Sequence, residues 1–401
     1  MSLSERLEDL VTPGVSGSDV RPNEYPDPTW KPRVERDEKS AFIVAKPQKL
    51  GELSDFDEII KEAGLDPALW VVTNYKHSKW QIWGGDWLES VKLSVTPADV
   101  VQKEDLLDVE KLIDQIKKWR PTNKKPVTGD LSYVFALSDQ QIGKKAEFGG
   151  TPEFLQRALD LTNDGVERFK ELKKIGRPVG TIVIPLLGDH VEGNTSQGGR
   201  LQSYSASDLG ITEQNRVARR LLEKQIKAFA GLSEKIIVPV VNGNHDEVTR
   251  QVNVKPGDGW NVEIASQVQD ICKENEFLRD HVEFRYPHDR HQTLAIEING
   301  FWLGLFHGHQ YSGANAKKYL EGQAVGQTPL GSCDLWISGH YHHFQVLDLG
   351  PRTWIQCPTM DGGSAWFRDR KGLESPPGVL TLVIGKDYDP RRDLSVLRAK
   401  N

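Results

Sequence analysis

The feature that most constrains this chain is a set of short apolar segments that end in Asp, Asn or His. Three of them alternate with segments of helical periodicity: SYVFALSD (132–139), TIVIPLLGD (181–189) and KIIVPVVNGNHD (235–246). Apolar runs of this length between helices are typical of parallel strands, which predicts a layered α/β domain. Because functional groups of such sheets gather beyond the carboxyl ends of the strands, we expect the terminal polar residues to lie close together.

The C-terminal part of the chain adds further strands of the same kind. The pair Asn299-Gly300, a strong hairpin signal, separates the apolar segments TLAIEI (293–298) and FWLGLFHG (301–308). Two more apolar segments follow, DLWISGHYHH (334–343) and RTWIQCPT (352–359), and the first of them ends in histidines. We expect this part of the chain to close the domain with hairpins.

Composition excludes several classes of protein. The chain has 401 residues, a formal net charge of −6 and three cysteines. No apolar run approaches the roughly 20 residues needed to cross a bilayer, and the polar, acidic first residues are not typical of a signal peptide. Three scattered cysteines are too few for a disulfide framework or a cysteine-based zinc site. We therefore expect a cytoplasmic protein with no membrane partner, and the net charge argues against a basic nucleic-acid coat.

The chain is predicted to contain three parts. Residues 1–40 are rich in Pro, Gly, Ser and charge, which predicts a flexible tail. Residues 41–125 are predicted to form a small α/β accessory domain, with a helix at about 103–119, that is compatible with a winged-helix-like module. The segment PTNKKPVT (121–128) is a plausible linker, and residues 130–401 are predicted to form the layered domain.

The accessory domain is rich in tryptophan. Six of the eleven Trp residues lie within the first 120 residues, with Lys76, Lys79 and Lys92 nearby. Aromatic rings interleaved with lysines can stack on single-stranded bases, but such rings also form the cores of small domains. The sequence leaves both interpretations open.

Five short motifs at the ends of the apolar segments carry residue types that bind divalent metals. They are SDQQ (138–141), GDHVE (188–192), GNHDE (243–247), HGH (307–309) and GHYH (339–342). Asp, Asn and His suit a hard or borderline divalent ion, and the neighbouring glycines allow sharp turns. A single Asp after a strand is usually a helix cap or a turn residue, but five such endings together predict one metal centre.

In their order along the chain, these motifs resemble those of the calcineurin-like metallophosphoesterase superfamily. The family pattern runs Asp-Xaa-His, Gly-Asp-Xaa-Xaa-Asp/Glu, Gly-Asn-His-Asp/Glu, His and Gly-His-Xaa-His, and four of the five motifs are intact between residues 130 and 390. The chain is also similar to phage-encoded phosphoesterases of the DNA-repair exonuclease type, which implies the host cytoplasm as its location. The resemblance implies an α/β fold in which a metallophosphoesterase β-sandwich is flanked by helices.

The resemblance also implies two divalent ions, with Mn²⁺ favoured and Mg²⁺, Fe²⁺ or Zn²⁺ as alternatives. Asp189 would bridge both ions, and the other implied ligands are Asp139, Gln141 and His342 for the first ion and Asn244, His307 and His340 for the second. Gln141 stands where the family usually has His. A neutral amide oxygen is a weaker and harder ligand than imidazole, so it should loosen the first ion.

Further roles are implied for residues near the motifs. His245 would act on the substrate as a general acid or a stabilising cation, and Asp246 or Glu247 would orient its ring. Arg200, in a long polar loop, and His309 are candidates for contact with the substrate.

The implied activity is metal-dependent hydrolysis of phosphodiesters by a hydroxide shared between the two metals. DNA is the favoured substrate, which would make the protein a nuclease. One alternative is a phosphatase or a cyclic-nucleotide phosphodiesterase with a small substrate. An alternative of another class is a catalytically weak interaction scaffold. The sequence leaves the oligomeric state open.

Overall fold

The structure is a computed structural model in which the chain forms two compact units, Met1–Gln102 and Lys103–Asn401. It describes residues 31–36, 40–52, 54–81, 86–97, 109–121, 128–146, 149–194, 207–249, 255, 257–288, 291–312, 315–363 and 376–399. The predictions for residues 1–30, for most of the linker and for Arg200 lie outside the described residues.

The smaller unit contains a five-stranded antiparallel sheet. Its strands are β1 (Arg33–Arg36), β2 (Ala41–Val44), β3 (Gln48–Lys49), β4 (Trp70–Gln81) and β5 (Trp87–Pro97). Their order is β1-β2-β5-β3, and β4 also pairs with β5. Helix α1 (Phe56–Glu62) begins after Asp55, whose side chain accepts a hydrogen bond from the backbone of Glu58, as a helix cap does. Ile59 and Ile60 of α1 pack on Ile43 and Leu93 of the sheet.

This unit differs from the sequence prediction in two ways. Residues 33–36 lie in the predicted tail but form β1, because their backbone pairs antiparallel with Ala41–Val44. A winged helix is built on two packed helices that form a helix-turn-helix, whereas α1 is the only helix among the described residues of this unit. The described residues therefore form a sheet with one covering helix, and they do not support the winged-helix-like interpretation.

The larger unit is built around a six-stranded sheet. Its strands are β6 (Leu131–Ala136), β7 (Val179–Val183), β8 (Lys235–Pro239), β9 (Val282–Arg285), β15 (Gly378–Ile384) and β16 (Ser395–Arg398), in the order β16-β15-β6-β7-β8-β9. The four strands β6 to β9 are parallel, as the alternation of strand and helix predicts. Strand β15 pairs antiparallel with β6.

A second, five-stranded sheet faces the first. It contains β10 (Leu294–Ile298), β11 (Phe301–Phe306), β12 (Leu335–Ser338), β13 (Gln345–Asp348) and β14 (Thr353–Gln356), in the order β10-β11-β12-β14-β13. The predicted hairpin is confirmed, since Ile298 pairs with Phe301 across Asn299-Gly300. Both turn residues have positive φ angles, 51° and 74°, which is the backbone conformation that such tight hairpins require.

Helices cover both outer faces of this pair of sheets. They are α2 (109–118), α3 (Thr151–Lys174), α4 (Ile211–Phe229), α5 (Trp260–Glu274) and α6 (Ala316–Val325). The first hydrophobic core packs the helices α2, α3, α4 and α5 on the six-stranded sheet. A second core lies between the two sheets, and a third packs α6 on the five-stranded sheet. The predicted β-sandwich flanked by helices is therefore present in the larger unit.

The boundary between the units differs from the predicted one. The sequence prediction assigns the helix at about 103–119 to the accessory domain, whereas its described part, α2, belongs to the larger unit. Leu112 and Ile116 of α2 are buried in the core that contains α3 and α4, and this packing assigns the helix. Among the described residues, no helix is long and apolar enough to cross a membrane.

Candidate metal centre

The loops that follow β6, β7 and β12 carry candidate ligands in an unusual backbone conformation. Five of these residues have positive φ angles: Asp139 (50°), Gln141 (43°), Asp189 (55°), His340 (73°) and His342 (61°). Side-chain-bearing residues rarely adopt this left-handed region, and strained backbone of this kind concentrates at functional sites. The strain turns the chain sharply after each strand, so these side chains meet at one edge of the sandwich.

The side chains of Asp189, Asn244, His307 and His340 converge. Asp189, His307 and His340 each offer a ligand atom, and these atoms lie within 4.8 Å of one another. Nε2 of His307 is 3.0 Å from Oδ2 of Asp189 and 3.2 Å from Oδ1 of Asn244. Nδ1 of His307 donates to the carbonyl oxygen of Leu187 at 2.7 Å. That hydrogen bond leaves Nε2 as the metal-binding nitrogen.

Asp139 and His342 approach each other next to this group. Oδ1 of Asp139 is 3.3 Å from Nε2 of His342 and 4.0 Å from Nε2 of His307. Oδ2 of Asp139 accepts a hydrogen bond from the backbone amide of His340 at 2.9 Å. The structure thus places Asp139 and His342, two of the residues that the resemblance assigns to the first ion, beside the group assigned to the second.

Gln141 has a partner that the sequence did not reveal. Its Oε1 accepts a hydrogen bond from Nζ of Lys144 at 2.6 Å. The same ammonium group pairs with Oδ2 of Asp361, and that oxygen is 3.4 Å from Nδ1 of His342. Burial lowers the pKa of Lys144, but the charges of Asp361 and Glu192 outweigh it and raise the pKa above its ordinary value. The ammonium form of Lys144 is therefore favoured at this position.

His245 lies against the same group but is held differently from the prediction. Its backbone amide donates to Oδ1 of Asp189 at 2.7 Å, and its Nδ1 is 2.8 Å from the carbonyl oxygen of Glu192 and 3.6 Å from the Glu192 carboxylate. Asp246 does not orient this ring. Its Oδ2 accepts from the backbone amides of Asp189 and Gly243, at 2.8 and 2.6 Å. Asp246 therefore holds together the loops that carry Asp189 and Asn244, and a carboxylate that lies near the His245 ring is that of Glu192.

His309 is next to the converging residues. Its ring centroid lies 5.4 Å from that of His307 and 6.3 Å from that of His340. A polar cleft beside it is lined by Asn242, Glu247, Lys255, Asp258 and Gln292. The position of His309 is compatible with its predicted contact with the substrate.

Neighbouring charges outweigh burial in setting the pKa values of two histidines of this centre. Burial lowers the pKa of His307, but Asp189 and Asp139 outweigh it and raise the pKa to about 9. Burial also lowers the pKa of His342, which Asp139 nevertheless raises to about 10. At His340, burial and the charge of His307 lower the pKa to about 4. In the protein without a metal, protonated His307 and His342 balance the two carboxylates, and a divalent ion would take over that role by displacing protons.

The residues present fit a divalent metal ion. Asp189, Asn244, His307 and His340 supply one carboxylate, one amide oxygen and two imidazoles, a donor set that suits Mn²⁺, Fe²⁺ or Zn²⁺. The binding atoms of Asp189, His307 and His340 already converge, and Oδ1 of Asn244 lies 3.2 Å from Nε2 of His307. His307 also has the hydrogen bond to a backbone carbonyl that metal-binding histidines commonly make.

Gly243 permits the close packing of two of these loops. A Cβ atom at this position would lie 2.1 Å from Oδ1 of Asp189, so Gly243→Ala must displace that carboxylate. We expect the variant to bind Mn²⁺ at least about tenfold more weakly in calorimetry, since disturbing the support of a metal ligand costs that much or more. Gly257→Ala is the matched control, because no atom lies within 4 Å of its added Cβ. Equal affinities for the two variants would contradict the placement of Asp189 at the metal.

No protein-family model and no curated protein matches this chain. Among solved structures, it is similar to zinc-complexed Vps29 from Entamoeba histolytica, with 17% identity, a TM-score of 0.29, and coverage of 64% of this chain and 87% of that one. A predicted phosphoesterase from Streptococcus pneumoniae has 12% identity, a TM-score of 0.29, and coverage of 67% and 93%. An archaeal phosphodiesterase has 16% identity, a TM-score of 0.30, and coverage of 66% and 99%.

Proposed function

We propose that this protein is a divalent-metal-dependent phosphoester hydrolase whose substrate is a phosphodiester. The observation that carries the proposal is the convergence of the binding atoms of Asp189, His307 and His340 within 4.8 Å, with His245 hydrogen-bonded to the same Asp189. A metal ion held there supplies a water of lowered pKa and a positive charge that offsets the charge of the phosphate. No protein nucleophile is then needed.

The protein's own residues have distinct tasks in this reaction. Asp189, Asn244, His307 and His340 hold the ion. The hydrogen bond from Nδ1 of His245 to the carbonyl oxygen of Glu192 fixes the ring. In its protonated form His245 therefore carries its second proton on Nε2, from which it can protonate the leaving oxygen. A pure interaction scaffold would not need an acid in this position.

DNA is the proposed substrate, and cleavage of its backbone would make the protein a nuclease. Asn242, Lys255 and Gln292 line the cleft beside the centre together with Glu247 and Asp258, and amide and ammonium side chains commonly contact phosphate and sugar oxygens of nucleic acids. The likeness of the whole chain to phage-encoded phosphoesterases of the DNA-repair exonuclease type supports the same substrate, whereas the five motifs by themselves do not distinguish among phosphoesters. A small-substrate phosphatase or cyclic-nucleotide phosphodiesterase is the second candidate, since the same centre would hydrolyse those esters.

A substrate panel tests the proposal. Protein stripped with a chelator and reloaded with Mn²⁺ would be assayed on a bis-nitrophenyl ester, a mono-nitrophenyl ester, cyclic nucleotides, and single- and double-stranded DNA. We expect hydrolysis of the bis-ester and of DNA, none after stripping, and recovery on reloading. Hydrolysis of the mono-ester or cyclic nucleotides alone would support the second candidate. If Mn²⁺ binds and no ester is cleaved, the protein is a scaffold.

A further inference from the structure

The side chain of Lys144 contacts Gln141, one of the residues that the resemblance assigns to the first metal ion. Its Nζ donates to Oε1 of Gln141 at 2.6 Å and pairs with Oδ2 of Asp361. The Lys144 side chain is 18% exposed and that of Asp361 is 2% exposed. Loss of the ammonium partner would strongly destabilise the folded protein, because it would leave a buried carboxylate unpaired. Lys144 is therefore held in place by Asp361 and is not a mobile surface lysine.

This arrangement occupies the ligand atom that Gln141 would offer to a metal. An ammonium group and a divalent ion bound to the same amide oxygen would repel each other over a short distance in a largely buried site. A histidine at this position, as in the family pattern, would offer a strong ligand that accepts no hydrogen bond from lysine while it binds a metal. The substitution of Gln for His and the presence of Lys144 thus both disfavour a metal ion at this position.

In the described part of the chain, three carboxylate or imidazole donors come together at only one of the two implied positions. Among the described residues, Asp189, His307 and His340 form the one group of three or more His, Cys, Asp or Glu side chains that is close enough to hold an ion. At the other position, Asp139 and His342 approach each other. Nδ1 of His342 faces Asp361, the carboxylate that Lys144 neutralises.

We infer that this centre binds a single divalent ion, through Asp189, Asn244, His307 and His340, and that the ammonium group of Lys144 replaces the second ion. The inference depends on the proposed function, because it concerns how the same centre neutralises a phosphate. Lysine is a compact point charge that binds phosphate well. A centre with one dication and one monocation suits the single negative charge of a phosphodiester better than the dianion of a phosphomonoester.

Metal stoichiometry tests this inference without reference to activity. Wild-type protein would be titrated with Mn²⁺ by calorimetry, its bound metal counted by elemental analysis, and its electron paramagnetic resonance spectrum recorded at saturation. We expect one ion per chain and the spectrum of an isolated Mn²⁺. Two ions per chain, or the spectrum of an exchange-coupled pair, would overturn the inference while leaving the proposed function intact. These measurements use only the wild-type protein, so they remain decisive even if a variant fails to fold.

A double variant tests the role of Lys144 itself. Gln141→His with Lys144→Ala restores the family's ligand and removes the competing charge, so we expect two ions per chain and a coupled spectrum. Its rate on the bis-ester relative to the mono-ester should fall. Lys145→Ala removes the same charge from the exposed neighbouring residue and should still bind one ion. A folded double variant that binds one ion would show that Lys144 and Gln141 do not exclude the second ion.

The proposed function and this inference fail in different ways. Wild-type protein that binds one ion and hydrolyses none of the esters would refute the proposed function and leave the stoichiometry standing. Wild-type protein that binds two ions and hydrolyses diesters would do the reverse. Wild-type protein that binds no divalent ion would refute both.

Discussion

Asp189→Asn is expected to abolish metal-dependent hydrolysis, with a loss of at least about 1,000-fold, or ~4 kcal/mol in barrier height. Both oxygens of Asp189 are in use. Oδ1 accepts a hydrogen bond from the backbone amide of His245 at 2.7 Å, and Oδ2 lies 3.0 Å from Nε2 of His307. An Asn side chain is neutral, so the metal loses its charged ligand in either orientation of the amide, and the orientation that turns NH₂ toward His245 also loses the hydrogen bond that positions His245. Steady-state rates on a bis-nitrophenyl ester with saturating Mn²⁺ measure the effect.

The control for this variant is a second buried carboxylate that belongs to an ion pair outside the candidate centre. Asp393 is paired with Arg177 at 2.7 Å and is largely buried. Asp393→Asn should lower the melting temperature and leave the rate per folded molecule unchanged. If Asp189→Asn retains more than about a tenth of the wild-type rate, a difference of only about 1.4 kcal/mol, Asp189 is not a metal ligand in the reacting centre.

His245→Asn is expected to slow hydrolysis of esters with poor leaving groups by about 10²–10⁴-fold, the usual contribution of a positioned general acid. The rate of hydrolysis of nitrophenyl esters should fall much less, because their leaving group departs without a proton. Metal content should stay near normal, since the ring of His245 contacts Glu192 through Nδ1 and is outside the converging ligand group. The rates of an alkyl and a nitrophenyl diester, measured with the same metal-loaded preparation, give the comparison.

His291→Asn is the matched control for this experiment, because His291 is an exposed histidine in the loop before β10. It should leave the rates for both esters unchanged. Equal losses for the two esters in His245→Asn would argue that His245 only positions the substrate. Loss of bound metal in that variant would instead make His245 a ligand.

Much of the larger unit was predictable because its signals are local. Apolar runs of strand length, separated by helical periodicity, predict parallel strands wherever they occur in a chain. The pair Asn299-Gly300 predicts its hairpin from two residues alone, and Ile298 and Phe301 pair as expected. The assignment of α2 failed because its apolar stripe shows that a helix has a buried face but not which unit buries it.

The candidate centre likewise combines residues that local motifs reveal with contacts that only the fold creates. The sequence by itself identified Asp139, Asp189, Asn244, His307, His340 and His342, because each follows an apolar strand in a recognisable motif. It gave no sign of Asp361, which follows no such motif and reaches the site only because β14 is next to β12 in the five-stranded sheet. It also assigned the orientation of the His245 ring to Asp246 or Glu247, its neighbours in sequence, whereas the carboxylate of Glu192, more than fifty positions away, lies 3.6 Å from Nδ1 of that ring.

The sequence therefore determined which residue types were available for metal chemistry and the order in which strands deliver them. Only the tertiary structure decided which atoms meet. The contact of Lys144 with Gln141 and Asp361 is the clearest case, since two of these residues are three positions apart and the third is more than two hundred positions away. Contacts of that separation depend on how the strands are arranged in the two sheets. No local pattern of residues encodes that arrangement.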